Sequence, residues 1–149
     1  MKRVKNKNIY NNINNLKSVK ILTGWGEQAR YSEGISIGYV MYLQNQGYKY
    51  KNIIVPARPF MNNCILRNYN KWKNTTDLLL NNYLNGKIND FKILCNQMSL
   101  LMSGDLTMEI KLTNEPPNSP RTIKKKGFNK PLIDSGIAFN SVTSEVIYV

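Results

Sequence analysis

The apolar positions of this chain change period several times, and each change marks an element. Ile9, Ile13 and Leu16 recur at helical spacing, which predicts a short amphipathic helix over about 8–17. Val19, Ile21 and Thr23 then alternate as a strand, closed by Gly24 and Gly26, with Trp25 between the glycines as a packing residue. Over 35–46 two periods coexist. Ile35, Ile37, Tyr39, Met41 and Leu43 alternate as in a strand, whereas Ile35, Tyr39, Tyr42, Leu43 and Gln46 share one helical face. Periodicity leaves helix and strand open there, and Gly47 ends either one.

Residues 48–59 read as a loop with a short extended piece at Ile53-Ile54-Val55. Pro56 and Pro59 each push the preceding residue toward extended geometry, and Pro59 suits the first turn of a helix. A helix is expected from Pro59 to Trp72, resuming at Thr76 or Asp77 as an N-cap and running to Gly86. The clearest helix spans Ile88 to Leu112. Ile88, Phe91, Cys95, Met98 and Met102 form one stripe, and Leu94, Leu101, Met108 and Leu112 an adjacent one. Gly104 within it costs about 1 kcal/mol against Ala, so it predicts either close approach of another element or a kink. Pro116, Pro117 and Pro120 cannot continue that helix, so 115–130 reads as a long, basic, mobile loop. Val142, Ser144, Val146 and Tyr148 alternate as a final strand. The fold class expected is α+β: a small antiparallel sheet packed against two or three helices, with the basic loop before the last strand. At 149 residues the simplest organisation is one domain, preceded by a flexible basic start over 1–7.

Charge sharpens this picture. The formal net charge is +12, concentrated in 1–20 and 121–130, where no acid occurs. Such blocks attract nucleic acid, acidic protein surfaces or anionic membrane, and they also serve as solvated tails. No apolar run is long enough to span a membrane and no leader pattern follows Met1, so a soluble protein made inside the cell is expected. Histidine is missing from the sequence, which removes the commonest metal ligand and general base. Cys64 and Cys95 lie within apolar helical patterns, with no paired-cysteine motif, and are expected as buried small hydrophobes. No cofactor, metal site or catalytic residue is expected.

Two proline-bracketed loops carry the candidate contacts. In Val55-Pro56-Ala57-Arg58-Pro59-Phe60 a stiff backbone presents the Arg58 guanidinium, suited to a carboxylate or an intersubunit contact, or else to an internal salt bridge. Phe60 reads as core more than as contact. In Lys130-Pro131-Leu132-Ile133-Asp134-Ser135-Gly136 no base stands ready to activate Ser135. Asp134 is expected to cap backbone N–H groups in a turn, with Gly136 supplying the permissive backbone. Arg121, Lys124, Lys125 and Lys126 lack interleaved aromatics apart from Phe128, which argues against base stacking but leaves phosphate contact open. Asp77, Asp90, Asp105 and Glu109 read as solvated helix faces.

In this order, around a helical middle, Pro56-Ala57-Arg58-Pro59-Phe60-Met61, Ser119-Pro120-Arg121-Thr122 and Lys130-Pro131-Leu132-Ile133-Asp134-Ser135-Gly136 resemble the tail-completion, or virion-morphogenesis, family of tailed bacteriophages. The resemblance covers about residues 31–149. Family members usually carry an acidic-aromatic-Gly ending where this chain has Asn45-Gln46-Gly47, and Asp-Thr-Gly where it has Asp134-Ser135-Gly136. The resemblance favours a helix over 35–46. It implies a structural protein that forms a ring, hexameric or dodecameric, at the head–tail junction or the top of the tail. The ring completes the tail and helps join it to the head around the DNA path. Its partners would be further copies of itself, neighbouring neck, connector or tail proteins, and genomic DNA in the lumen. Its place would be the virion, and the host cytoplasm before assembly. Arg58, Phe60, Arg121, Lys124, Lys125, Lys126 and Asp134 are the assembly contacts this implies. The alternative is a small basic nucleic-acid-binding protein.

Overall fold

The computed structural model describes residues 9–149, so the basic stretch 1–7 lies outside the described residues. Residues 9–14 are helical (α1). Strand β1 (Val19–Gly24) follows, then α2 (Ile37–Gln46), β2 (Tyr48–Tyr50), β3 (Ile53–Val55), α3 (Phe60–Leu84), α4 (Phe91–Leu112), α5 (Pro120–Lys126), α6 (Ile137–Asn140) and β4 (Thr143–Tyr148). The architecture is α+β, about half helix, with small antiparallel two-stranded sheets packed against helices.

Helices α3 and α4 form an antiparallel hairpin. Contacts run from Arg67–Glu109 through Lys71–Asp105 to Thr76–Met98 and Tyr83–Phe91, one number rising as the other falls. The sheet β1–β4 lies against α4, pairing Val19 with Tyr148 and Gly24 with Thr143. Alternation along β1 turns Val19, Ile21 and Thr23 inward and leaves Lys20 and Leu22 exposed, as the sequence pattern requires. The core has two centres. Ile37, Met41, Phe60, Cys64, Leu106, Ile110 and Ala138 form one, and Tyr83, Leu94, Cys95 and Met98 the other. Trp72 packs against both.

Residues 37–46 are helical, the alternative that the resemblance favoured, with Ser36 as N-cap accepting from the Tyr39 N–H at 3.3 Å. Several other expectations change. Helix α3 is continuous over 25 residues, without the break expected near 73–75. Thr76 does not cap a new helix; its hydroxyl donates back to the Trp72 carbonyl at 2.9 Å, and no Gly or Pro interrupts the run. Helix α4 begins at Phe91, after Ile88, because Asp90 is its N-cap and accepts from the Lys92 N–H at 2.9 Å. Gly104 approaches nothing: a Cβ built there would meet no atom within 4 Å. The 115–130 segment is not loop throughout, since Ser119 and left-handed Gly127 bracket α5. Residues 48–55 are a hairpin, with Tyr48 paired to Val55 and Tyr50 to Ile53. The apolar side of α1 stays largely open, with Ile13 and Leu16 exposed, and Asn12 ties the helix down by donating to the Tyr83 carbonyl at 2.8 Å. No helix among the described residues is long and apolar enough to cross a membrane.

Candidate assembly surface

The first proline loop closes the base of the β2–β3 hairpin. Pro56 and Pro59 stiffen the chain on either side of Arg58, whose N–H donates to the Gln44 carbonyl at 2.9 Å. Its guanidinium turns inward, only 4 % exposed. Nε donates to the Pro116 carbonyl at 2.8 Å, Nη2 to that of Pro117 at 3.1 Å, and Nη1 to Oε1 of Gln44 at 2.8 Å. Burial lowers the pKa of Arg58 from its ordinary value. No carboxylate lies against the guanidinium among the described residues, and its burial leaves little of it on the surface for the contact that sequence left open beside an internal salt bridge. Arg58 ties its loop to the domain, but through neutral oxygens. Phe60 is the core residue expected from sequence: it is fully buried and meets Trp25 edge-on at 6.3 Å.

Two further residues tighten this base. Gly47 has φ +71°, and a Cβ there would lie 2.6 Å from the Ala57 nitrogen and 2.9 Å from the Val55 carbonyl oxygen. Only glycine lets these backbones approach so closely. Asn45 is buried, and its Oδ1 accepts from the Met61 N–H at 3.0 Å, satisfying an open donor in the first turn of α3. An amide therefore serves where the resemblance leads one to expect an acid.

The second loop meets the first across the 114–118 turn. The Asn118 N–H donates to Oδ1 of Asn129 at 3.1 Å, and Lys130 Nζ to Oδ1 of Asn114 at 2.6 Å. Lys126 Nζ donates to the Lys130 carbonyl at 2.7 Å and to that of Ile133, lying over the Phe128 ring. Burial lowers the Lys126 pKa, while Asp134 opposes the shift. Lys126 is thus an internal tie, not a free contact, because the α5 turn aims it at the 130–133 carbonyls. Arg121, Lys124 and Lys125 fall at i, i+3 and i+4 of α5 and are all exposed.

Asp134 is not the turn cap expected from sequence. It is exposed, and its carboxylate accepts no hydrogen bond among the described residues. Left-handed Gly136 (φ +82°) leads straight into α6, which has no side-chain cap. Asp134 instead borders a cavity of about 290 Å³ with Tyr31, Gln44, Asn118 and Lys126. Burial first, and then the Asp134 charge, raise the Tyr31 pKa.

The acids of α4 are not simply solvated. Asp105 accepts from Trp72 Nε1 at 2.7 Å and from Lys71 Nζ at 2.6 Å, and buried Glu109 pairs with Arg67 at 3.1 Å. Both cysteines are buried and free, and burial raises Cys64 to about 11. No three His, Cys, Asp or Glu side chains among the described residues gather as a metal site.

The feature missed from sequence is the hairpin surface. Tyr48 and Tyr50 face the same side as Ile53 and Val55, and the first three are 38, 61 and 58 % exposed. Ile54, on the other side beside Lys49, is 71 % exposed. Two short apolar runs separated by two residues were the available signal. The linking pair Lys51-Asn52 hid it, because Lys51 takes a left-handed φ of +52° where glycine is usual. Comparison with family models, with curated proteins and with solved structures finds no match for this chain.

Proposed function

We propose that this chain is a structural subunit of a tailed-phage virion, forming a ring at the head–tail junction or the top of the tail. The ring completes the tail and helps join it to the head around the DNA path. The observation that carries this reading is the joint use of the two proline motifs. Arg58 and the 130–133 carbonyls lock them, through the 114–118 turn, into one stiff corner beside a projecting apolar hairpin. A corner of this kind specifies shape. An exposed cluster of tyrosine and isoleucine is the sort of patch that partner proteins cover.

In this reading no residue is catalytic and no cofactor is required. Ring contacts are heterologous and closed by rotation, in six or twelve copies. Neck, connector or tail proteins lie on the ring faces. Arg121, Lys124 and Lys125 supply outward charge for an acidic neighbour or for DNA in the lumen. Native mass spectrometry of the purified protein should give a closed oligomer, and cross-linking in virions should place it in the neck or tail. A monomer at every concentration, with no cross-link to those structures, defeats the proposal.

The basic face of α5 also favours a second reading, a small nucleic-acid-binding protein. Three phosphate contacts would give a slope of about −2.7 in log affinity against log salt, which R121A/K124A/K125A should flatten. Failure to retain DNA at low salt removes this reading.

A further inference from the structure

We propose that the β2–β3 hairpin of one copy docks on the open face of the β1–β4 sheet of the next, so that the contact propagates from copy to copy. The inference rests on the ring reading and names its interface.

The hairpin is an unusual structure to leave free. Two strands of three residues are marginal alone in water, and this pair presents Tyr48, Tyr50 and Ile53 on one side without cover. Its base is nevertheless fixed by Gly47 and Arg58, so the apolar face projects in a set direction. Little ordering entropy remains to be lost on docking. The hairpin carries Lys49 and Lys51 and no acid.

The opposite chemistry occurs on the outer face of the β1–β4 sheet. Its inner face packs on α4, whereas Leu22 is 53 % exposed on the outer one. Glu145 is the cross-strand partner of Leu22. Leu22, Trp25, Glu27 and Glu145 border a cavity of about 340 Å³, enough for an aromatic side chain. Both glutamates are exposed and form no ion pair among the described residues. In a chain of net charge +12, this is a small apolar hollow rimmed by two carboxylates. The hairpin matches it in charge, with Tyr50 or Ile53 entering the hollow and Lys51, which lies over the Tyr50 ring, meeting Glu27 or Glu145, while Lys49 faces away on the other side. The two patches are different residues, so the contact is heterologous and builds a ring when its rotation closes.

The test uses the full chain, with circular dichroism confirming that each variant is folded, and reads self-association by native mass spectrometry and sedimentation. Y50S/I53S and L22D should each weaken association by about tenfold or more. K51E and E27K/E145K should each do the same alone, whereas K49E, on the side turned away, should leave association unchanged. Mixed together, or combined in one chain, K51E and E27K/E145K should restore assembly, because each reversed hairpin then meets a reversed face. If the native chain assembles while hairpin or sheet variants assemble equally well, the docking proposal is wrong and the ring reading stands. Loss in both charge variants without restoration on mixing also overturns the docking. A native chain that stays monomeric overturns both.

Discussion

The Arg58 guanidinium and the Pro116 carbonyl stand 2.8 Å apart across 58 positions of sequence. That bond, with its neighbours to Pro117 and Gln44, holds the α2 terminus, the hairpin base and the turn after α4 in one arrangement. A buried guanidinium whose acceptors are all uncharged is costly to desolvate, and here the cost is offset by three donors each matched to an oxygen.

Arg58→Ala should therefore lower stability by about 2–4 kcal/mol, the loss of the charged bonds being partly offset by relief of desolvation. Arg58→Lys should recover little, since an ammonium cannot span three acceptors in fork geometry. Urea unfolding at neutral pH measures both. An Arg58→Ala midpoint equal to that of the native chain would show that the clasp contributes nothing.

Glycine offers a paired comparison. At Gly47 a methyl group would collide with the Ala57 and Val55 backbone at a left-handed φ. Gly47→Ala should thus destabilise by about 2 kcal/mol or more and distort the hairpin base. At Gly104 the added Cβ meets open space within a regular helix. Gly104→Ala should stabilise by about 0.5–1 kcal/mol. Thermal unfolding of the two variants should move in opposite directions.

The pair Arg67–Glu109 is asymmetric, with the arginine side chain 62 % exposed and the glutamate 4 %. Arg67→Ala leaves a buried carboxylate without its partner and should cost about 1–3 kcal/mol. Glu109→Gln in that background should return most of the loss, because a neutral amide is cheaper to bury. Chemical denaturation of the single and double variants decides the point; equal stabilities would mean that water already serves Glu109.

The period of the apolar residues made β1, β4 and most of α4 legible, because burial on one face dictates that period. Phe60 was legible as core from its place at the start of an amphipathic helix, whereas Arg58 could be singled out but not aimed. Whether a guanidinium turns to a neighbour or to Pro116 depends on a contact 58 positions away, which no local pattern encodes. Thr76 looked like a cap because Thr often is one. Packing of Trp72 against both core centres carried α3 through that point instead. The hairpin was hidden by Lys51, which takes a left-handed φ of +52° at the turn where glycine or asparagine is usual. Asp134 was misjudged because its surroundings are set by Tyr31 and Lys126, from other segments.

Cys64 links burial to pH dependence. Its surroundings, with Glu109 and Asp105 adding their charge to the effect of burial, hold the thiol protonated up to about 11 from an ordinary value of 9.0. The unfolded chain releases this proton near 9, whereas the folded chain keeps it. The contribution is therefore fully present below pH 9 and is lost as pH rises toward about 11, at up to about 1.4 kcal/mol per pH unit. Tyr31 and Cys95, also raised, act in the same direction. Cys64→Ala should be less stable at neutral pH, because it opens a small cavity, yet show a shallower alkaline decline. Urea midpoints followed from neutral to alkaline pH test the slope. A thiol reagent should label the native protein far more slowly than the unfolded one. Parallel alkaline limbs for the native chain and Cys64→Ala would show that this thiol does not govern the decline.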